Sequence, residues 1–372
     1  MNTEKSADKI YTNDIYQSLS RMGWTSNFQA HLESFSDGQF FPARVVGVRK
    51  NAFHVSQGEK EWLATVAGRL SYQADCPYPV TGDWVLMKDT VISAVLPRKN
   101  YLSRGAAGTH GKNDVLPARE QVIAANLDTV FITCGLDRDF NLRRIERYLT
   151  LVYNCGLNPV IVLTKGDLHT DPEQFVSEVE TVAFGVPAHV VSAGDSTGLN
   201  QLNKYLSPGQ TITMVGSSGA GKSTLVNRLY GKTVQTTGSI SESLGKGRHT
   251  TTSRDLIMMP QGGMIIDNPG IREIAFWDDD GGIDVAFPEI ENLASACRFS
   301  DCTHTHEPGC RVLQAVSDGE ISPGRLESYR KMKRELMYLS DRQHKSADRV
   351  EKERWKEVAL KIKAIKSRRH SG

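Results

Sequence analysis

One octapeptide constrains this chain more than any other feature. Gly216-Ser-Ser-Gly-Ala-Gly-Lys-Ser223 follows the apolar run Thr211–Val215 and precedes the helix-like run Thr224–Tyr230. Such a loop cradles phosphate only between a strand and a helix, and the flanking residues supply that context. Backbone N–H groups of Gly216, Ser217, Ser218, Gly219, Ala220 and Gly221 then converge on phosphate oxygens at a helix N-terminus. Lys222 is expected to reach the β- and γ-phosphates and assist catalysis. Ser223 is expected to ligate Mg²⁺, and Thr224 completes the loop.

The loop alone does not choose a base. Leu163-Thr-Lys-Gly-Asp167 closes another apolar run and is similar to the Asn-Lys-x-Asp guanine motif, with Thr164 in place of Asn. Thr164 has a shorter reach than an amide, which predicts weaker base affinity. Lys165 covers the ring, Gly166 turns the chain, and Asp167 accepts both guanine N–H donors. A carboxylate built for paired donors rejects adenine. Ser192 and Ala193, after a further strand-like run, are expected to offer backbone N–H groups to the guanine oxygen.

Asp267-Asn-Pro-Gly270 is similar to the Asp-x-x-Gly element of GTPases. Asp267 would hold Mg²⁺ through water, and the Gly270 N–H would face the γ-phosphate. Gly247-Arg-His-Thr-Thr-Thr252 lies where a switch threonine should cover Mg²⁺; Thr250, Thr251 and Thr252 are the candidates, with Thr251 favoured. Ile271 stands where many GTPases carry a water-orienting glutamine, so intrinsic turnover should be slow. His249 is the candidate to orient the attacking water, the alternative being a phosphate, RNA or solvent contact. The base motifs precede the phosphate loop, the reverse of the ordinary order. A sheet whose termini lie close can be re-cut in this way without altering its packing.

At 372 residues the chain suits two or three domains. Residues 1–40 are polar with one amphipathic stretch (Ile15, Leu19, Met22, Trp24, Phe28, Leu32). From 41 to 103 five short β-rich runs separated by Gly, Asn and Pro breaks predict a small OB-type barrel. Phe53 and Trp62 in it are either core residues or stacking platforms for bases. A Gly-rich connector is expected over 104–120. Alternating strand and helix patterns over 121–286 predict a mainly parallel, doubly wound sheet. A helical, Cys/His-bearing region follows over 287–342, then a basic tail over 343–372.

Three of the six cysteines, Cys297, Cys302 and Cys310, crowd with histidines. That clustering suits a closed tetrahedral Zn²⁺ site in a reducing compartment better than a disulfide framework. His304 and His306 compete for the fourth position. With no open coordination position, the metal would be structural, one per chain. From Gly324 onward there are sixteen Lys and Arg against seven Asp and Glu, a net +9 within a chain of formal charge +2. A polyanion partner such as RNA, or a merely solvated helix, would account for it. No apolar run is long enough to span a bilayer, and the N-terminus lacks a secretory core, so a cytoplasmic monomer with no membrane partner is expected.

These residues resemble the circularly permuted small ribosomal subunit GTPases, the RsgA family. The resemblance rests on Gln121-Val-Ile-Ala-Ala-Asn126, Gly247-Arg-His-Thr-Thr-Thr252, Asp267-Asn-Pro-Gly270 and Cys297-Arg-Phe-Ser-Asp-Cys302-Thr-His304. It implies a GTPase stimulated by the small ribosomal subunit, contact with rRNA, a role in late subunit maturation, and His304 as the fourth ligand. Thr164, the Gly-rich connector and the extended tail depart from the family pattern. A GTP-gated RNA-binding placeholder with incidental hydrolysis is the alternative. A P-loop small-molecule kinase would need an acceptor site and leaves the guanine motif and cysteine cluster unexplained.

Overall fold

In the computed structural model the residues described are 14–35, 40–50, 52–68, 70, 77–105, 120–234, 254–267 and 281–344. Cα packing divides the chain into two units. One comprises 1–102 and 122–273, the other 103–121 and 274–372.

The first unit holds the barrel. Strands β1 (Phe41–Val48), β2 (Phe53–Ser56), β3 (Glu61–Val66), β4 (Trp84–Lys88) and β5 (Val91–Val95) pair in the order β1-β2-β3-β5-β4, and β4 returns to β1 to close the ring. Closure removes the exposed edges that a five-stranded sheet would otherwise present. Ala43, Val45, Phe53, Val55, Val85, Met87 and Ile92 fill the interior. Phe53 is therefore a core residue, and half-buried Trp62 packs against the same cluster.

The same unit carries the predicted parallel sheet: β8 (Thr129–Gly135), β9 (Pro159–Thr164), β10 (Ala188–Val190), β11 (Thr211–Val215), β12 (Arg254–Met258) and β13 (Met264–Asp267). Their order is β10-β9-β8-β11-β13-β12, parallel except for the antiparallel β12–β13 pair. Residues of β8, β9 and β11 are buried along their whole length, which explains their near-continuous apolar sequences. Helices α3 (Leu142–Asn154), α4 (Glu173–Glu180) and α5 (Lys222–Tyr230) connect them. Sequence periodicity does not reveal that β12 also pairs with β1, so barrel and parallel sheet form one eleven-stranded sheet.

The segment expected to be connector begins and ends as structure. β6 (Tyr101–Gly105) pairs with β7 (Glu120–Ala125), leaving 106–119 outside the described residues. The run Ser103–Arg104–Gly105 contains too few apolar residues to declare a strand without its partner.

The N-terminal amphipathic stretch folds as α1 (residues 14–21) and α2 (Ser26–Glu33). Leu19, Met22, Trp24 and Phe28 are buried, and Trp24 meets Trp84 edge-on at 4.8 Å. The Gly209 N–H, just before β11, donates to the Arg21 carbonyl at 2.9 Å. Arg44 of β1 lies beneath this junction, only 1% exposed. Its guanidinium donates to the carbonyls of Met22, Gly82 (3.2 Å) and Asn126 (3.3 Å). Burial lowers its pKa to about 10, with Asp128 and Asp83 opposing the shift, so it stays charged at neutral pH. Gly82 has φ +96°, and a Cβ there would lie 2.2 Å from the Ala125 carbonyl oxygen, so only glycine fits this approach.

The second unit is helical where described after residue 281: α6 (Gly282–Ala286), α7 (Pro288–Ala294), α8 (Arg311–Ser317) and α9 (Pro323–His344). Arg325 of α9 joins three of its parts, donating to Glu289 at 2.7 Å and to the Ala286 carbonyl at 2.7 Å, with its guanidinium 4.1 Å over the Phe287 ring. No helix among the described residues is long and apolar enough to cross a membrane.

Candidate functional site

The parallel strands β8, β9, β10, β11 and β13 end at one edge of the sheet. Gly135 is in register with Thr164, Leu163 with Val190, and Val215 with Ile132. In open α/β sheets the crevice beyond these carboxyl ends is where ligands bind. Every predicted nucleotide residue that the structure describes lies at or just beyond this edge.

The phosphate loop leaves β11 at Gly216, whose φ is +151°. A Cβ there would stand 2.2 Å from the Thr133 carbonyl oxygen of β8. Gly219 and Gly221 also have positive φ, and Gly221 is the N-cap of α5. The Lys222 ammonium donates to the carbonyls of Gly216 (2.7 Å) and Ser217 (2.6 Å), folding its side chain back over the loop. Ser218, Ser223 and Thr224 lie in the loop and first helical turn, and Ala220 is buried.

The base-reading segment meets this loop directly. Thr164 is 4% exposed, and its Oγ1 donates to the Ala220 carbonyl at 2.7 Å. Lys165 adopts the left-handed conformation, φ +62°, and its Nζ pairs with Asp137 Oδ2 at 2.6 Å. Close to Lys165, Gly166 begins a short 3-10 turn that carries Asp167. Ser192 Oγ donates to Asp167 Oδ1 at 2.7 Å and accepts from the N–H groups of Gly194 (3.1 Å) and Asp195 (3.3 Å). Ser192 thus aims the Asp167 carboxylate with its side chain, a role distinct from the backbone contact to the guanine oxygen expected from the sequence. Ala193 follows in the same turn.

Asp267 ends β13, beside the phosphate-loop strand, where the Thr213 hydroxyl donates to the Ile266 carbonyl at 2.9 Å. His249, Thr250, Thr251, Thr252, Gly270 and Ile271 lie outside the described residues.

Two carboxylates of the turn after β8 were missed in the sequence. Asp137 reaches Lys165, and desolvation, the largest single influence, would raise its pKa; the Lys165 hydrogen bond, the Asp139 N–H and the Lys165 charge together outweigh it and leave the pKa lowered. Asp139 accepts from Ser217 Oγ and from Arg144. The available signal was position alone: a polar turn directly after a fully buried strand. Neighbouring Cys134 is pushed up to about 11 by burial and remains a thiol.

In the second unit Cys297, Cys302, His304 and Cys310 place their donor atoms all within 4.8 Å of one another. Cys297 Sγ lies 3.8 Å from Cys310 Sγ and 3.7 Å from His304 Nδ1, which is 3.4 Å from Cys310 Sγ. Sulfur donors about 2.3 Å from a common tetrahedral centre stand roughly 3.8 Å apart, so this set can hold one metal ion. His304 is 4% exposed and sits among these donors, whereas His306 is exposed. His304 takes φ +55° to enter the cluster. Burial, assisted by Lys333, lowers its pKa and favours the neutral imidazole that a metal requires. Glu307 fastens the loop by accepting from the N–H groups of Thr303 (3.1 Å), Thr305 (2.8 Å) and His306 (3.0 Å).

A guanine-type segment, then a phosphate loop, then a terminal Asp at one parallel edge, with the base motif ahead of the loop in the chain, define a circularly permuted P-loop GTPase. The family model described as RsgA GTPase matches residues 95–277, and one described as 50S ribosome-binding GTPase matches 211–347. The "Small ribosomal subunit biogenesis GTPase RsgA" of Methanosarcina acetivorans is 44% identical over 347 residues, covering 92% of this chain and 91% of that one. Its namesake from Opitutus terrae is 42% identical over 357 residues, covering 91% and 95%. The crystal structure of YjeQ from Thermotoga maritima aligns with TM-score 0.56 at 29% identity, over 80% of this chain and 99% of that one. YloQ, described as a circularly permuted GTPase, shares the fold at TM-score 0.55 and 22% identity, over 83% and 98%. The chain belongs to the RsgA GTPase family, whose members hydrolyse GTP.

Proposed function

We propose that this protein binds the small ribosomal subunit and its rRNA, assists late subunit maturation, and is released after GTP hydrolysis that the subunit stimulates. The observation that carries this reading is the convergence of Thr164–Asp167, Ser192 and the Gly216–Ser223 loop on one sheet edge, in a chain sharing 44% identity with a protein named for small-subunit biogenesis. Lys222 and Ser223 engage the phosphates and Mg²⁺. Asp267 holds Mg²⁺ through water, and Thr251 covers it. His249 orients the attacking water. Asp167 and Lys165 select guanine, and Gly270 faces the γ-phosphate. The cysteine–histidine cluster holds one structural Zn²⁺, since thiolate and imidazole donors in a closed set favour zinc over Mg²⁺ or Ca²⁺. The proposal includes the domain limits read from the sequence, a cytoplasmic location and a monomeric state.

The test is GTP turnover at moderate salt with purified small subunits, with large subunits and with neither. Selective stimulation by small subunits supports the proposal. Equal rates in all three, with GTP binding intact, would sink the partner assignment.

A further inference from the structure

The turn between β8 and α3 stands against both halves of the nucleotide site. Asp137 Oδ2 meets Lys165 Nζ of the base-reading segment at 2.6 Å, and Asp139 Oδ1 receives the hydroxyl of phosphate-loop Ser217. A carboxylate beside a phosphate loop is electrostatically adverse, because the ligand brings several negative charges to the same place. Its presence calls for a compensating use and a compensating charge. Arg144 supplies the charge, donating to Asp139 Oδ1 and, at 3.2 Å, to the Asp139 carbonyl.

Asp139 is also held rigidly. Its Oδ2 accepts from the Gly135 N–H at 3.2 Å, and its own N–H donates to Asp137 Oδ1 at 3.1 Å. Asn141, the N-cap of α3, accepts from the Arg144 N–H at 3.1 Å and so fixes the helix turn that presents Arg144. The turn is close-packed as well. A Cβ at Gly135 would lie 2.9 Å from Asp137 Oδ1 and 3.3 Å from Lys165 Nζ.

We propose that Asp139, neutralised by Arg144, is a positioning residue that fixes the entry of the phosphate loop through Ser217. Pre-organised loops bind phosphate better because their ordering cost is met before the ligand arrives. The inference rests on the nucleotide-site reading above.

A double-mutant cycle tests it, with GDP dissociation constants measured by calorimetry on the full chain for Asp139→Ala, Ser217→Ala and both together. Asp139→Ala is expected to weaken GDP binding about tenfold, and at least fivefold less when Ser217 is already Ala, because the two act through one bond. Asp139→Asn, which keeps an acceptor, should recover most of the affinity and serves if the alanine variant does not fold. The GDP-over-IDP preference, set at Asp167, should be unchanged in Asp139→Asn and Asp139→Ala, whereas a general loosening of the site would lower it. Losses that simply multiply, or a falling base preference, would overturn the inference alone. Failure of the unaltered protein to bind GDP would overturn the nucleotide site itself.

Discussion

Thr164 Oγ1 donates to the Ala220 carbonyl at 2.7 Å, joining the first residue of the base-reading segment to the phosphate loop. The Thr164 side chain is buried, and β9 and the loop approach closely enough for its hydroxyl to bridge them. Thr164→Val keeps the shape and leaves that carbonyl unpaired. An unsatisfied buried acceptor costs about 1–3 kcal/mol. GDP affinity should fall about tenfold, read by calorimetry; affinity unchanged within twofold would show that the bond does not matter to binding.

Asp167 is aimed by Ser192 at 2.7 Å. Asp167→Asn replaces one acceptor by a donor, so the site matches a base with a carbonyl where guanine has its amino group. GTP binding should drop about a hundredfold while xanthosine triphosphate becomes the better ligand. Competition between the two nucleotides measures the reversal, and retained GTP preference would count against Asp167 as the base reader.

His249→Ala should abolish small-subunit-stimulated turnover and leave GTP affinity nearly intact, while Lys222→Ala should weaken binding and turnover together. A transition-state interaction alters turnover alone, whereas a phosphate contact made in both states alters affinity as well. Single-turnover hydrolysis and equilibrium binding separate the two. Stimulated turnover that survives in His249→Ala would dismiss that assignment.

Elemental analysis of protein purified without chelators should find about one zinc per chain. Cys310 also accepts from the Leu313 N–H at 3.4 Å at the start of α8, so Cys310→Ala should lose both metal and helix cap. Helical circular dichroism is expected to fall on metal removal and return on adding zinc. A chain without metal and with unchanged helicity would contradict a structural role.

Arg44 gathers the carbonyls of Met22, Gly82 and Asn126. Arg44→Met removes three hydrogen bonds, although the Gly82 carbonyl keeps the Asn126 Nδ2–H at 3.0 Å. Hydrogen bonds to a charged group contribute roughly 1.5–3 kcal/mol each, so the first unit should be destabilised by at least about 3 kcal/mol. The urea midpoint should fall with little change in slope. A midpoint within error of the unaltered protein would show that the carbonyls find other partners.

Much of this protein was determined by the sequence alone, wherever chemistry is local. Gly216–Ser223, Thr164–Asp167 and the strands Thr211–Val215 and Met264–Asp267 are contiguous segments whose residue types dictate backbone shape. The cysteine spacing likewise announced a Cys/His cluster. Tertiary structure decided what depends on residues distant in the chain. It buried His304 among the cysteines and left His306 exposed, put Phe53 in the barrel core, and joined β1 to β12. It also brought Asp139 to Ser217, 78 residues away. The physical reason is that apolar periodicity and loop chemistry are written within a few residues, whereas a hydrogen bond between two polar side chains on separate turns exists only after the sheet has brought those turns together.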